Sequence, residues 1–145
     1  MNTFRTYYMD EALFSLPAVI STAQKRLAGV EFDTLVGTGF SGSVVIPALA
    51  LAMGKDFVLI RKRDDDSHHG GGRMLGRLGA RWVFVDDFVA SGSTRRRVIS
   101  KVNDAASSSG LPTEMVGQYM YCKYSDGSTQ GCFEEYRESW TELTW

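Results

Sequence analysis

Thirteen consecutive residues, Trp82-Val83-Phe84-Val85-Asp86-Asp87-Phe88-Val89-Ala90-Ser91-Gly92-Ser93-Thr94, narrow the folds open to this chain more than any other stretch. Four large apolar residues in a row read as a strand over 82–86 that is buried on both faces. An acidic pair follows, then a loop of small residues. The loop opens a helix whose stripe is Val98, Ile99, Val102, Ala105 and Ala106. That helix should stop near Gly110, with Pro112 beyond it. A strand that runs into a helix this way is half of a crossover between parallel strands.

The remainder of the chain repeats the alternation. Leu16, Ile20, Ala23 and Leu27 recur at helical spacing, Pro17 suits a first turn and Gly29 a stop, so a helix is predicted near 17–28. Thr34-Leu35-Val36 is a short strand ending at Gly37. Ser43 to Met53 is apolar nearly all round, as a buried helix would be, and Pro47 inside it predicts a late start or a kink. Phe57 to Ile60 reads as a second buried strand, and Met115 to Tyr121 alternates weakly as another. The expected fold class is therefore α/β, a central, mainly parallel, Rossmann-like sheet with helices on both faces. In such sheets ligands bind beyond the carboxyl ends of the strands, which singles out three connections: 37–43, 61–80 and 87–94.

Charge and length exclude several classes. At 145 residues the chain is read as one domain over 1–145. A net charge of −1 gives no global field for nucleic acid or an anionic membrane. No apolar run approaches the roughly 20 residues that span a bilayer. Acids rather than an apolar core follow Arg5, so a secretory signal is not expected and a cytoplasmic location is. Cys122 and Cys132 are then expected as free thiols, and neither lies beside a His in sequence.

The chemistry concentrates in the three connections. Asp86 and Asp87 can accept hydrogen bonds from neighbouring sugar hydroxyls. The small residues Ala90, Ser91, Gly92, Ser93 and Thr94 expose N–H groups and hydroxyls at a helix start, which suits a phosphate. Gly37, Gly39 and Gly42 spell G-x-G-x-x-G, which fits a dinucleotide loop and equally a loop against pyrophosphate. The basic end Arg61-Lys62-Arg63 after the second strand would accommodate an NADP 2′-phosphate, but that reading leaves the acids and loop at 86–94 without a task. The stretch 61–80 is long for a connection and reads as irregular, with Asp64-Asp65-Asp66, His68, His69 and three consecutive glycines. The acidic triplet and Arg95-Arg96-Arg97 read as solvated faces, with one of the three arginines open to contact with a phosphate in the preceding loop or with a subunit partner, and the two histidines have no recognisable zinc spacing.

The segment 82–94 resembles the binding signature of the type I phosphoribosyltransferases, whose substrate is phosphoribosyl pyrophosphate (PRPP). The resemblance keeps the order apolar run, two acids, two apolar residues, small loop, Thr. It implies that Asp86 and Asp87 hold the ribose 2′- and 3′-hydroxyls and that Ala90 to Thr94 wrap the 5′-phosphate. By the same resemblance Thr38, Gly39, Phe40, Ser41 and Gly42 contact pyrophosphate. Arg61 and Lys62 begin a flexible loop, about 61–80, that closes over the reacting centre, with Arg73 and Arg77 as looser candidates for further cations. The implied reaction is Mg²⁺-dependent transfer of phosphoribosyl from PRPP to a small nitrogenous base, giving a nucleoside 5′-monophosphate. No direct protein ligand to the metal is expected: Mg²⁺ arrives with PRPP, and Asp86 and Asp87 reach it through water. Ala90 stands where hypoxanthine-guanine members place an Asp, so the chain is more similar to the adenine, orotate and uracil branches. A base-binding hood would be small, built from the N-terminal segment or the tail 122–145, and the resemblance leaves a homodimer open. Two alternatives stand beside it, a PRPP-binding regulatory protein without transfer and an NADP-dependent oxidoreductase.

Overall fold

The computed structural model describes residues 16–61, 74–121 and 131–142. In chain order these form α1 (Leu16–Leu27), β1 (Thr34–Thr38), α2 (Gly39–Met53), β2 (Asp56–Ile60), β3 (Met74–Gly76), β4 (Arg81–Asp86), α3 (Ser93–Ser109), β5 (Glu114–Met120) and β6 (Cys132–Glu135), with a 3₁₀ turn at Glu138–Thr141. The six strands make one sheet in the order β3-β2-β1-β4-β5-β6. The four central strands are parallel, and β3 and β6 are antiparallel edges. This is the expected mainly parallel α/β sheet.

Strand alternation divides the apolar residues between two cores. Leu35, Val83, Val85, Tyr119 and Tyr121 pack with Val45, Ile46 and Leu49 of α2 and Val19, Ala23 and Leu27 of α1. Val36, Val58, Ile60, Trp82, Phe84 and Met115 pack on the opposite face with Val98, Ile99 and Val102 of α3 and with Trp140. Gly37 in β1 lets the first core close. A Cβ there would meet the side chain of Ile46 and stand 2.6 Å from the Val85 carbonyl oxygen. One irregularity interrupts the β4–β5 ladder: Trp82 is level with Met115 but Val83 is level with Gly117, which leaves Val116 as an extra residue.

Several expectations are corrected. The helix predicted from Ser43 begins at Gly39, despite Pro47 inside it, and β1 runs on to Thr38. No free loop separates the two, so the connection 37–43 is a strand end joined to a first helical turn. α2 is not wholly buried either: Leu51 is 85% exposed. The end of the stretch 61–80 is ordered as β3, because Met74, Leu75 and Gly76 complete the sheet edge against Ile60, Leu59 and Val58. Lys62, Asp64, Asp65, Asp66, His68, His69, Arg73 and Cys122 lie outside the described residues. Within the tail, Cys132–Glu135 extends the sheet against β5, and Trp140 joins the second core.

Candidate phosphate and sugar site

The strand order sets the place. From β1 the chain crosses through α2 to β2 on one side, and from β4 it crosses through α3 to β5 on the other. The neighbours β1 and β4 are thus the switch point where the crossovers diverge, and an α/β sheet opens a crevice beyond their carboxyl ends. Pairing puts Thr38 level with Ile60, and Asp86 level with Met120. Carrying the β1–β4 register two residues further puts Thr38 level with Asp86. Ile60, Thr38, Asp86 and Met120 therefore end four adjacent strands in one row, about 14 Å across at ~4.8 Å per strand. Arg61, Gly39, Asp87 and Tyr121 are the residues that leave this row.

Two helix starts meet at the crevice from opposite faces of the sheet. Gly39, the first residue of α2, has φ 85°, and Gly92, which precedes α3, has φ 81°. Both are left-handed conformations that favour glycine. Neither helix has a side-chain cap at its N-cap position. The leading N–H groups of a helix have no intrahelical acceptor and carry its positive dipole end, so both starts suit anionic oxygens. Ser41 is held in the first turn of α2 by a short hydrogen bond from the Tyr121 hydroxyl to its Oγ, and the Thr38 hydroxyl donates to the Ile60 carbonyl at 2.6 Å.

Beyond β4, Asp86 Oδ1 accepts the Asp87 N–H at 2.8 Å and Asp87 Oδ1 accepts the Phe88 N–H at 2.8 Å. These bonds turn the chain out of the strand. The turn borders a half-open cavity of about 150 Å³ lined by Asp86, Phe88 to Thr94, and Arg95. That is well above the roughly 10–15 Å³ a single water needs. Ala90, Ser91, Gly92, Ser93 and Thr94 thus share one cavity with Asp86, whereas Asp87 stands beside it, partly buried. Arg61 lies at the exposed end of β2, on the other side of β1.

Sequence reasoning did not single out Arg95 from its two neighbours. It reads as one of three arginines on a solvated helix face, yet its guanidinium carbon lies 4.3 Å from the centre of the Trp140 ring, and its Nη1 donates to Gln118 Oε1 at 2.7 Å. Burial pushes the guanidinium below its ordinary pKa, Glu134 opposes that, and neighbouring Arg96 adds to it. Three positions carry no ring-to-charge signal in sequence, because Gln118 and Trp140 reach Arg95 from β5 and the 3₁₀ turn only in the fold.

No family model matches the chain. In sequence it is 33% identical over 110 residues to an orotate phosphoribosyltransferase of Herminiimonas arsenicoxydans, matching 68% of this chain and 50% of that one. It is 29% identical over the same length to the orotate phosphoribosyltransferase of Cupriavidus necator, with 68% and 48% covered. The chain spans about half the length of these curated relatives. In structure it matches a Leishmania donovani UMP synthase with a TM-score of 0.57 and 22% identity, covering 74% of this chain and 23% of that one. It matches the PRPP complex of Mycobacterium tuberculosis orotate phosphoribosyltransferase with a TM-score of 0.52 and 18% identity, covering 69% and 55%. The Saccharomyces cerevisiae adenine phosphoribosyltransferase gives 0.52 and 19%, covering 76% and 69%. With the strand order and both helix starts in place, this chain has the fold of the type I phosphoribosyltransferases.

Proposed function

We propose that the chain transfers phosphoribosyl from PRPP to a nitrogenous base and releases pyrophosphate. The observation that carries this reading is the single row of strand ends, in which the acids beyond β4 lie between two glycine-opened helix starts. Asp86 and Asp87 accept hydrogen bonds from the ribose hydroxyls. The N–H groups and hydroxyls from Ala90 to Thr94 hold the 5′-phosphate, and the first turn from Thr38 through Gly39, Phe40, Ser41 and Gly42 holds pyrophosphate. Arg61 and Lys62 supply positive charge on the leaving-group side. A ring nitrogen of the base attacks C1′ while the bond from C1′ to the pyrophosphate oxygen breaks, and the electron pair leaves with pyrophosphate. Positioning and stabilisation of developing charge supply the rate enhancement.

Mg²⁺ fits this donor set as a substrate-borne ion. Among the described residues no group of three or more His, Cys, Asp or Glu could cage a metal, whereas one or two carboxylates beside substrate phosphates are the ordinary setting for Mg²⁺. Asp86 and Asp87 would hold it through water, and when bound it neutralises charge on the leaving pyrophosphate. Orotate is the first base to try, since the curated relatives named above are orotate phosphoribosyltransferases.

The test is pyrophosphate release from PRPP and Mg²⁺ over a panel of orotate, uracil, adenine, hypoxanthine and pyridine bases. Release with one of them, together with a rise in thermal stability of about 2.7 kcal/mol at 100 times Kd of PRPP, is the expected result. PRPP binding with no release over the whole panel replaces transfer by a regulatory, PRPP-sensing role. A stability shift with NADPH and none with PRPP overturns the reading.

A further inference from the structure

We propose that Arg95 is a direct ligand of the 5′-phosphate, a fixed cation at the wall of the cavity, held in place by Gln118 and Trp140. The proposal rests on the PRPP reading of that cavity. Three observations support it. Arg95 lines the cavity together with Ser91, Gly92, Ser93 and Thr94. A Cβ on Gly92 would stand 2.9 Å from Arg95 Nη2, so the guanidinium packs directly beneath the residue that opens the helix. Nη1 is committed to Gln118 and the plane lies against Trp140, which fixes the fork without neutralising it, because Gln118 is uncharged.

A partly buried charge without a hydrogen-bonded counter-ion costs free energy. A phosphate dianion in the cavity would supply that counter-ion. A guanidinium, with its rigid array of donors, is suited to phosphate where a flexible ammonium is less so. The backbone donors of the loop recognise shape, and Arg95 adds charge that they lack.

The test compares binding of ribose 5-phosphate and of inorganic pyrophosphate by calorimetry in the wild type, Arg95→Met and Gln118→Glu. Gln118→Glu keeps size and the bond to Nη1 but sets a carboxylate in competition with phosphate for the same guanidinium. Both variants should weaken ribose 5-phosphate binding by about tenfold or more, the worth of one hydrogen bond to a charged group, and leave pyrophosphate binding unchanged. If both variants keep wild-type affinity for ribose 5-phosphate, the Arg95 assignment is wrong and the PRPP reading stands. If Arg95→Met loses both ligands, Gln118→Glu decides: a selective loss upholds the assignment, and no loss overturns it. Wild type that binds neither PRPP nor ribose 5-phosphate overturns the PRPP reading itself.

Discussion

The two ends of the sheet use carboxylates in opposite ways. At the amino end, Asp33 accepts the N–H groups of Ala80 at 3.0 Å and Arg81 at 3.1 Å and the hydroxyl of Thr34 at 2.6 Å, while Thr34 in turn accepts the Gly79 N–H at 2.9 Å. These bonds join β1 to the start of β4 across 47 or 48 positions of chain. At the carboxyl end, Asp86 and Asp87 each accept a bond from the very next N–H. One acid ties distant segments together, and the other two shape a local turn. An acid engaged by distant backbone serves the fold. Acids bonded to the N–H groups of their own turn stand at the crevice instead.

The largest effect that would break this contrast is on binding. Asp87→Ala should cost about 3–6 kcal/mol of PRPP affinity, two hydrogen bonds to a charged group, which is a hundredfold or more. Its unfolding free energy from urea titration should stay within about 0.5 kcal/mol of wild type. Unchanged PRPP affinity in a titration would remove Asp87 from the ribose site. Asp33→Ala should do the reverse. Leaving the Ala80 and Arg81 N–H groups without an acceptor should lower unfolding free energy by about 2–4 kcal/mol, with PRPP affinity of the folded fraction unaltered. A large affinity loss at full stability would erase the division of labour. The smallest effect is Tyr121→Phe, which removes one buried hydroxyl from Ser41 and should cost about 1 kcal/mol, with weaker pyrophosphate binding and unchanged ribose 5-phosphate binding.

Much of the carboxyl end is legible in sequence because apolar runs announce buried parallel strands. Val83 to Val85, Leu35-Val36 and Phe57 to Ile60 all do so, and the stripe of α3 is as regular as its Gly110 stop, which has φ 67°. The start of α2 is not legible. Gly37-Thr38-Gly39 reads as a turn, yet Gly37 is buried in a strand because Ile46 must close over it, and the left-handed bend falls on Gly39 alone. β3 escapes because three residues paired on one edge leave no periodicity to count. The inward setting of Arg95 escapes because its partners come from other elements. The weak alternation from Met115 to Tyr121 has a physical cause: Val116 is an extra residue in the ladder, so no single period of two describes the strand.

That extra residue has a consequence for how the protein can vary. Met115 lies on the α3 side of the sheet, as strict alternation would place it, but beyond the bulge parity inverts, so Gln118 also faces α3 and Tyr119 and Tyr121 face α2. Flatten the bulge while keeping Val116 and every downstream side chain trades sides: Gln118 would abandon its arginine and Tyr121 its serine in a single stroke. Remove Val116 itself and the ladder becomes regular, with Gly117 still level with Val83 and every later side chain on the face it has now. The two helix starts tolerate the shorter strand and not the unkinked one.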